Sequence, residues 1–184
     1  MAMWWAAATA LLAAASSHAG QIDTAASQIG FSLKTRWGQT LDGRFPVWEG
    51  RIHTVDGGLR QVRLRLSATE VEIAGHAQYT RLTRGAGFFD AERFPHVDFV
   101  SDPYPAALAR DGGELSGVLS IRGVARREVF TVLPAGCAHP GDDCDIVASG
   151  VIRRGDYAMD RWAFALGDRV VFTLRIRTRE PAGK

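Results

Sequence analysis

The groups in this 184-residue chain that could ligate a metal, act as nucleophiles or move protons include two cysteines, five histidines and 20 acidic residues. Cys137 and Cys144 flank Ala-His-Pro-Gly-Asp-Asp. In an exported chain, cysteines on either side of a turn are read as a disulfide across the mouth of a hairpin. The metal alternative needs more ligands, and beyond His139 and Asp142 the loop has no second pair at zinc-site spacing. His53, His76, His96 and His139 fall on separate segments, so no metal site is expected. A Gly-x-Ser-x-Gly elbow, a His-Glu-x-x-His helix and a phosphate loop are all missing. Gly85-x-Gly87 lacks the third glycine of a dinucleotide loop, so no cofactor is expected. Arg154-Gly155-Asp156 spells an adhesion tripeptide but adjoins a strand end, where a turn ion pair is the expectation. Glu128 is the one acid in phase with inward apolar residues.

What the chain does have is large apolar groups. Phe31, Phe45, Trp48, Phe88, Phe89, Phe94, Phe99, Phe130 and Phe172 fall mostly on the inward phases of strands or on one crossover. Leu33, Leu64, Leu66, Leu119, Ile121 and Leu174 share those phases. Two readings stand: these side chains fill a solid core, or they line an elongated apolar pocket for a greasy ligand. On the second reading Phe31, Phe45, Trp48, Leu64, Phe99, Leu119, Phe130 and Phe172 face one continuous interior, and Phe88 or Phe89 closes over the ligand.

The elements that must position these residues follow a period of two. Ile29, Phe31 and Leu33 alternate with smaller or polar residues, as do Val62, Leu64 and Leu66. Leu115, Gly117, Leu119 and Ile121 form another such row, and Val170, Phe172, Leu174 and Ile176 the clearest. Antiparallel strands with one wet face have this pattern. Further strands fit 43–53, 96–101, 128–133 and 145–152, which predicts eight in all. Pro46 calls for a bulge that sets Phe45 and Trp48 on one face. Asp56-Gly57-Gly58 and Asp111-Gly112-Gly113 read as tight hairpins. Tyr79 and Leu82 predict a short helix over 76–84, stopped by Gly85. Strands with one helical crossover suggest a closed barrel.

Composition narrows the function classes. Hydrophobic residues at 46% exclude a mainly disordered chain, and Lys+Arg 22 against Asp+Glu 20 argues against a nucleic-acid binder. The arginine row Arg169, Arg175 and Arg177 reads as a solvated strand face that could also touch a membrane surface transiently. The apolar run from Met3 to Ala15 ends in Ser17-His18-Ala19. Thirteen helical residues span about 20 Å, short of a roughly 30 Å bilayer core. Residues 1–19 therefore read as a signal peptide and 20–184 as one domain, with an uncleaved anchor as the other possibility.

Several motifs resemble one family. Gly87-Phe-Phe-Asp-Ala-Glu-Arg-Phe-Pro-His-Val-Asp-Phe99, Gly117-Val-Leu-Ser-Ile-Arg-Gly-Val124 and Ile152-Arg-Arg-Gly-Asp-Tyr157 are similar to segments of YceI-like, polyisoprenoid-binding periplasmic proteins. Gly43-Arg-Phe45 with Trp48 and Gly50 is similar to an early strand of that family. The resemblance spans about residues 21–177. It implies a lipocalin-like antiparallel barrel, to which the eight strands predicted above would belong, holding an isoprenoid-type lipid or a quinone-like amphiphile, in the periplasm or secreted, with no catalysis. An enzyme acting on such a lipid, with Glu128 as its polar group, or an interaction module with a filled core are the competing functions. Ala158 stands where the family usually has glycine, and the Cys137–Cys144 hairpin is not a general family feature.

Overall fold

The structure is a computed structural model describing residues 20–179; the signal-peptide reading of residues 1–19 lies outside the described residues. The strands are β1 (Gly20–Ile22), β2 (Gln28–Thr35), β3 (Thr40–Arg44), β4 (Trp48–Thr54), β5 (Arg60–Ser67), β6 (Glu72–Ile73), β7 (His96–Ser101), β8 (Gly113–Ile121), β9 (Val124–Val132), β10 (Ile146–Arg153), β11 (Leu166–Ile176) and β12 (Thr178–Arg179). Two helices, α1 (Ala77–Arg84) and α2 (Leu108–Asp111), sit in the connections. Among the described residues, no helix is long and apolar enough to cross a membrane.

The strands form one antiparallel sheet in the order β12-β1-β4-β5-β7-β8-β9-β10-β11-β2-β3-β6, curled into a half-barrel around the core. β11 pairs with β2, and β12, one residue further on, pairs with β1. The eight expected strands are thus twelve. The expected run 43–53 is broken at Phe45–Val47 into β3 and β4, and β1, β6 and β12 are short segments outside the expected runs. Pro46 has no amide hydrogen to give a ladder, and the break lets Phe45 be buried while Trp48 packs on the same core.

Elsewhere the alternation translates directly into burial. On β5, Val62, Leu64 and Leu66 are buried and Arg63 and Arg65 exposed. Each large apolar side chain moved out of water stabilises by about 1.5–3 kcal/mol. The core runs continuously from Ile22 to Ile176. The turn at Asp56–Gly58 joins β4 to β5 as expected, with Gly57 at φ 74°. Asp111-Gly112-Gly113 is different. Gly112, at φ 73°, ends α2, and the link from β7 to β8 detours through that helix instead of turning tightly.

The disulfide joins Cys137 to Cys144 in the β9–β10 connection, with Cα atoms 6.2 Å apart. Asp23 clamps the β1–β12 pair: its carboxylate accepts from Arg179 Nε and Nη2, each at 2.7 Å.

Candidate functional site

Inward-facing residues of the curled sheet do not form one continuous lining. They divide into two apolar hollows separated by an aromatic cluster. Phe31, Phe45, Phe89 and Phe172 pack together with ring centroids 5.6–6.4 Å apart, and Phe88 lies 5.1 Å from Phe89. Such tilted, edge-on and stacked contacts add to the burial of the rings themselves. Phe31 also lies directly over Gly43 of the paired strand, where a Cβ would come within 2.2 Å of its ring.

On one side of this plug is a cavity of about 100 Å³. β5 supplies Val62, Leu64 and Leu66, β7 supplies Val97 and Phe99, and β8 supplies Leu115 and Leu119. Phe130 and Val132 come from β9, Ile146 and Ala148 from β10, and Phe172, Leu174 and Ile176 from β11. Ile22, Ile29 and Ile52 complete the wall, and Tyr104, Leu108 and Ala109 close one end. Tyr104 carries the only polar side-chain atom of that lining. Burial raises its phenol above the usual range, with nearby Arg60 opposing the shift, so it stays protonated as a potential donor. Phe99 and Phe130 meet edge to face at 5.1 Å, and Phe130 fills the space over Gly150.

Across the plug is a second hollow of about 200 Å³. Leu33, Leu41 and Ile73 form its floor with Phe88, and Trp37, Tyr79, Leu82, Trp162 and Phe164 its walls.

The expected site residues therefore fall into groups. Leu64, Leu66, Phe99, Leu119, Phe130, Phe172 and Leu174 line the cavity. Phe31, Phe45 and Phe89 belong to the plug, and Leu33 and Phe88 face the second hollow. Ile121 is fully buried core and Trp48 is half-buried against it; neither lines a hollow. The inward residues thus divide between two hollows in this structure, with four inward rings meeting in the space between them. Sequence reading missed Tyr104 and Leu108. Both sit in the link where Asp111-Gly112-Gly113 follows α2 instead of forming a tight hairpin.

Polar chemistry lies outside the cavity. The Tyr157 hydroxyl donates to Glu128 Oε1 at 2.8 Å, and Tyr157 is fully buried. Burial first, and then the Glu128 carboxylate, push the Tyr157 phenol far above its usual range. Neither residue lines the cavity, so Glu128 offers no group to a molecule inside it. Arg154, expected in a turn ion pair, is instead buried. Its guanidinium donates to the carbonyls of Gly167 (2.9 Å), Leu166 (3.4 Å) and Met159, and sits 5.6 Å from the Phe88 ring centroid. Desolvation lowers its pKa from the ordinary arginine value. Among the described residues, no three His, Cys, Asp or Glu side chains gather to hold a metal.

The model of the YceI-like domain matches residues 21–178, nearly the whole described chain. The chain belongs to this family. Solved structures with the YceI-like fold include Burkholderia cenocepacia BcnA, at 20% identity over 84% of this chain and 98% of that one, with a TM-score of 0.68. A polyisoprenoid binding domain from Saccharophagus degradans, implicated in plant cell wall breakdown, superposes with a TM-score of 0.67 at 16% identity, covering 90% and 99%. The Campylobacter jejuni YCEI protein gives 0.59 at 19% identity, covering 76% and 85%. Among curated proteins, none matches the chain. At these identities the likeness is one of fold, and the plug and the two hollows are features of this YceI-like chain's own residues.

Proposed function

We propose that this chain is an exported, non-enzymatic binding protein that carries or sequesters an isoprenoid-type lipid or a similar amphiphile inside the curled sheet. The observation that carries the reading is the cavity, an apolar wall assembled from nine strands with Tyr104 as its one polar side chain. A wall of that kind selects by apolar contact, at about 0.8 kcal/mol per buried CH₂. It offers no nucleophile, base or metal to a bound chain. The Saccharophagus domain, described as polyisoprenoid binding, shares the fold. Export draws support from the disulfide, which persists in oxidising compartments, and from the apolar leader of residues 1–19.

The cavity as it stands is smaller than the roughly 300–1,000 Å³ of typical ligand pockets. A long lipid therefore enlarges it, and the reading is that the chain displaces rings of the plug and reaches toward the second hollow. Tyr104 is the donor available to a polar headgroup at the near end.

Native mass spectrometry of protein purified from the periplasm tests the proposal. The expected result is an isoprenoid-mass adduct on a chain beginning at Gly20. Leu119→Trp fills the cavity, so it is expected to lose that adduct at less than the usual ~1–3 kcal/mol cost of overpacking. A wild-type protein that never carries lipid, with Leu119→Trp strongly destabilised, would mean the interior is simply a filled core.

A further inference from the structure

The second hollow is walled by side chains that a protein in free solution has reason to cover. Trp37 is 77% exposed at the tip of the β2–β3 hairpin, and Phe164 is 73% exposed in the turn before β11. The two tips are stitched together: Arg36 N donates to Ala165 O at 2.8 Å and Arg36 Nε to Ala163 O at 3.1 Å. Tyr79 and Leu82 of α1 border the same hollow and are also exposed. Singly exposed apolar residues are ordinary, but four around one groove form a patch of the kind that marks an interaction site.

Charge indicates what the patch meets. Exposed Lys34, Arg36, Arg81 and Arg161 stand on the segments that carry these apolar groups, against Asp42 and Asp160. Indole and phenyl groups projecting from a cationic surround suit the interfacial zone of a bilayer, where aromatic rings sit at headgroup depth and cations meet anionic lipid. The arginine row on β11 suits this less well, because Arg177 is bound to Asp145 and to the Asp142 carbonyl, and Arg175 lies 3.9 Å from Asp145.

We propose that the Trp37–Phe164 end of the molecule docks on the surface of an anionic phospholipid bilayer, with the groove facing the lipid. The inference stands apart from cavity occupancy, because surface docking needs only these exposed side chains.

The test is co-sedimentation of the mature protein with vesicles of mixed phosphatidylglycerol and phosphatidylcholine, and with vesicles of phosphatidylcholine alone. Binding to the anionic vesicles is expected to exceed binding to the neutral ones by roughly tenfold at low salt and to fall as salt rises. Trp37→Ser with Phe164→Ser is expected to abolish it while shifting the melting temperature little, since both side chains are mostly exposed. Arg36→Gln with Arg161→Gln is expected to remove the preference for anionic vesicles. Absence of binding, or binding undiminished in the Trp37/Phe164 variant, would overturn the proposal. So would loss of binding only in Arg169→Gln with Arg175→Gln. If sedimentation velocity shows a dimer that Trp37→Ser dissociates, the groove is a contact between copies and the proposal fails.

Discussion

Ala158 occupies the left-handed region at φ 55°, ψ 33°, where its Cβ is crowded and a glycine's would be absent. Its position ends the turn that begins at Arg154, where its backbone N–H reaches back to the carbonyls of Arg154 and Gly155. Ala158→Gly is expected to stabilise by about 1 kcal/mol, read as a higher denaturant midpoint with unchanged slope. Arg154 acts in the opposite sense. Each hydrogen bond from a charged donor contributes roughly 1.5–3 kcal/mol, and losing the donor also leaves buried carbonyls unpaired. Arg154→Ala is therefore expected to cost about 3–5 kcal/mol in urea unfolding. Arg154→Lys should recover little, because an ammonium cannot reproduce the planar fork that reaches Gly167, Leu166 and Met159 together.

Among the elements, the short pair β1–β12 is held by few backbone bonds and leans on the Asp23–Arg179 clamp. The Arg179 hydrogen bonds hold the Asp23 carboxyl below its ordinary value. A group with a depressed folded pKa contributes stability that is present above its unfolded pKa and lost as pH falls through the folded one. The contribution is therefore intact at pH 7 and is lost progressively as pH falls below about 4. Asp23→Asn is expected to lower the melting temperature at neutral pH and to narrow its difference from the wild type as pH drops toward 3. An equal difference at both ends of that range would show that the clamp does not govern the pair. The β9–β10 contact is similarly sparse, with only Val132–Ala148 and Thr131–Ser149 in register. Below it Glu128 and Arg126 of β9 reach Tyr157 and the Asp156 carbonyl, so side chains replace the ladder there.

For the whole molecule, the two hollows and the plug make stability depend on what is inside. A ligand that binds only the folded state at a hundred times its dissociation constant stabilises by about 2.7 kcal/mol. For a domain of this size that corresponds to a rise of roughly 5–10 °C in melting temperature. Reloading delipidated protein with an isoprenoid lipid is expected to produce that rise, and Leu119→Trp to suppress it. Calorimetry on both proteins, with and without lipid, separates a binding cavity from an interior that is merely apolar.

The sequence alone determined which faces are buried, because in a strand neighbouring side chains must point to opposite sides, so Val62, Leu64 and Leu66 could only go in together. It also determined the α1 helix, an interruption of the strand at Pro46 and the Cys137–Cys144 pairing, each set by contacts within a few residues. The family motifs were legible for the same reason, since turns such as Arg122-Gly123, with both residues at positive φ, are local. Tertiary structure alone decided which inward residues meet. Phe31, Phe45, Phe89 and Phe172 come from β2, the break between β3 and β4, the segment between α1 and β7, and β11, and no spacing along the chain records that their rings converge into a plug. The same holds for Tyr104, brought to the cavity by a detour, and for Arg154, whose charge is tolerated in the interior only because distant carbonyls turn toward it. Periodicity is a property of one strand, whereas a cavity is the space left between many. Its size depends on how far each side chain reaches across the curled sheet.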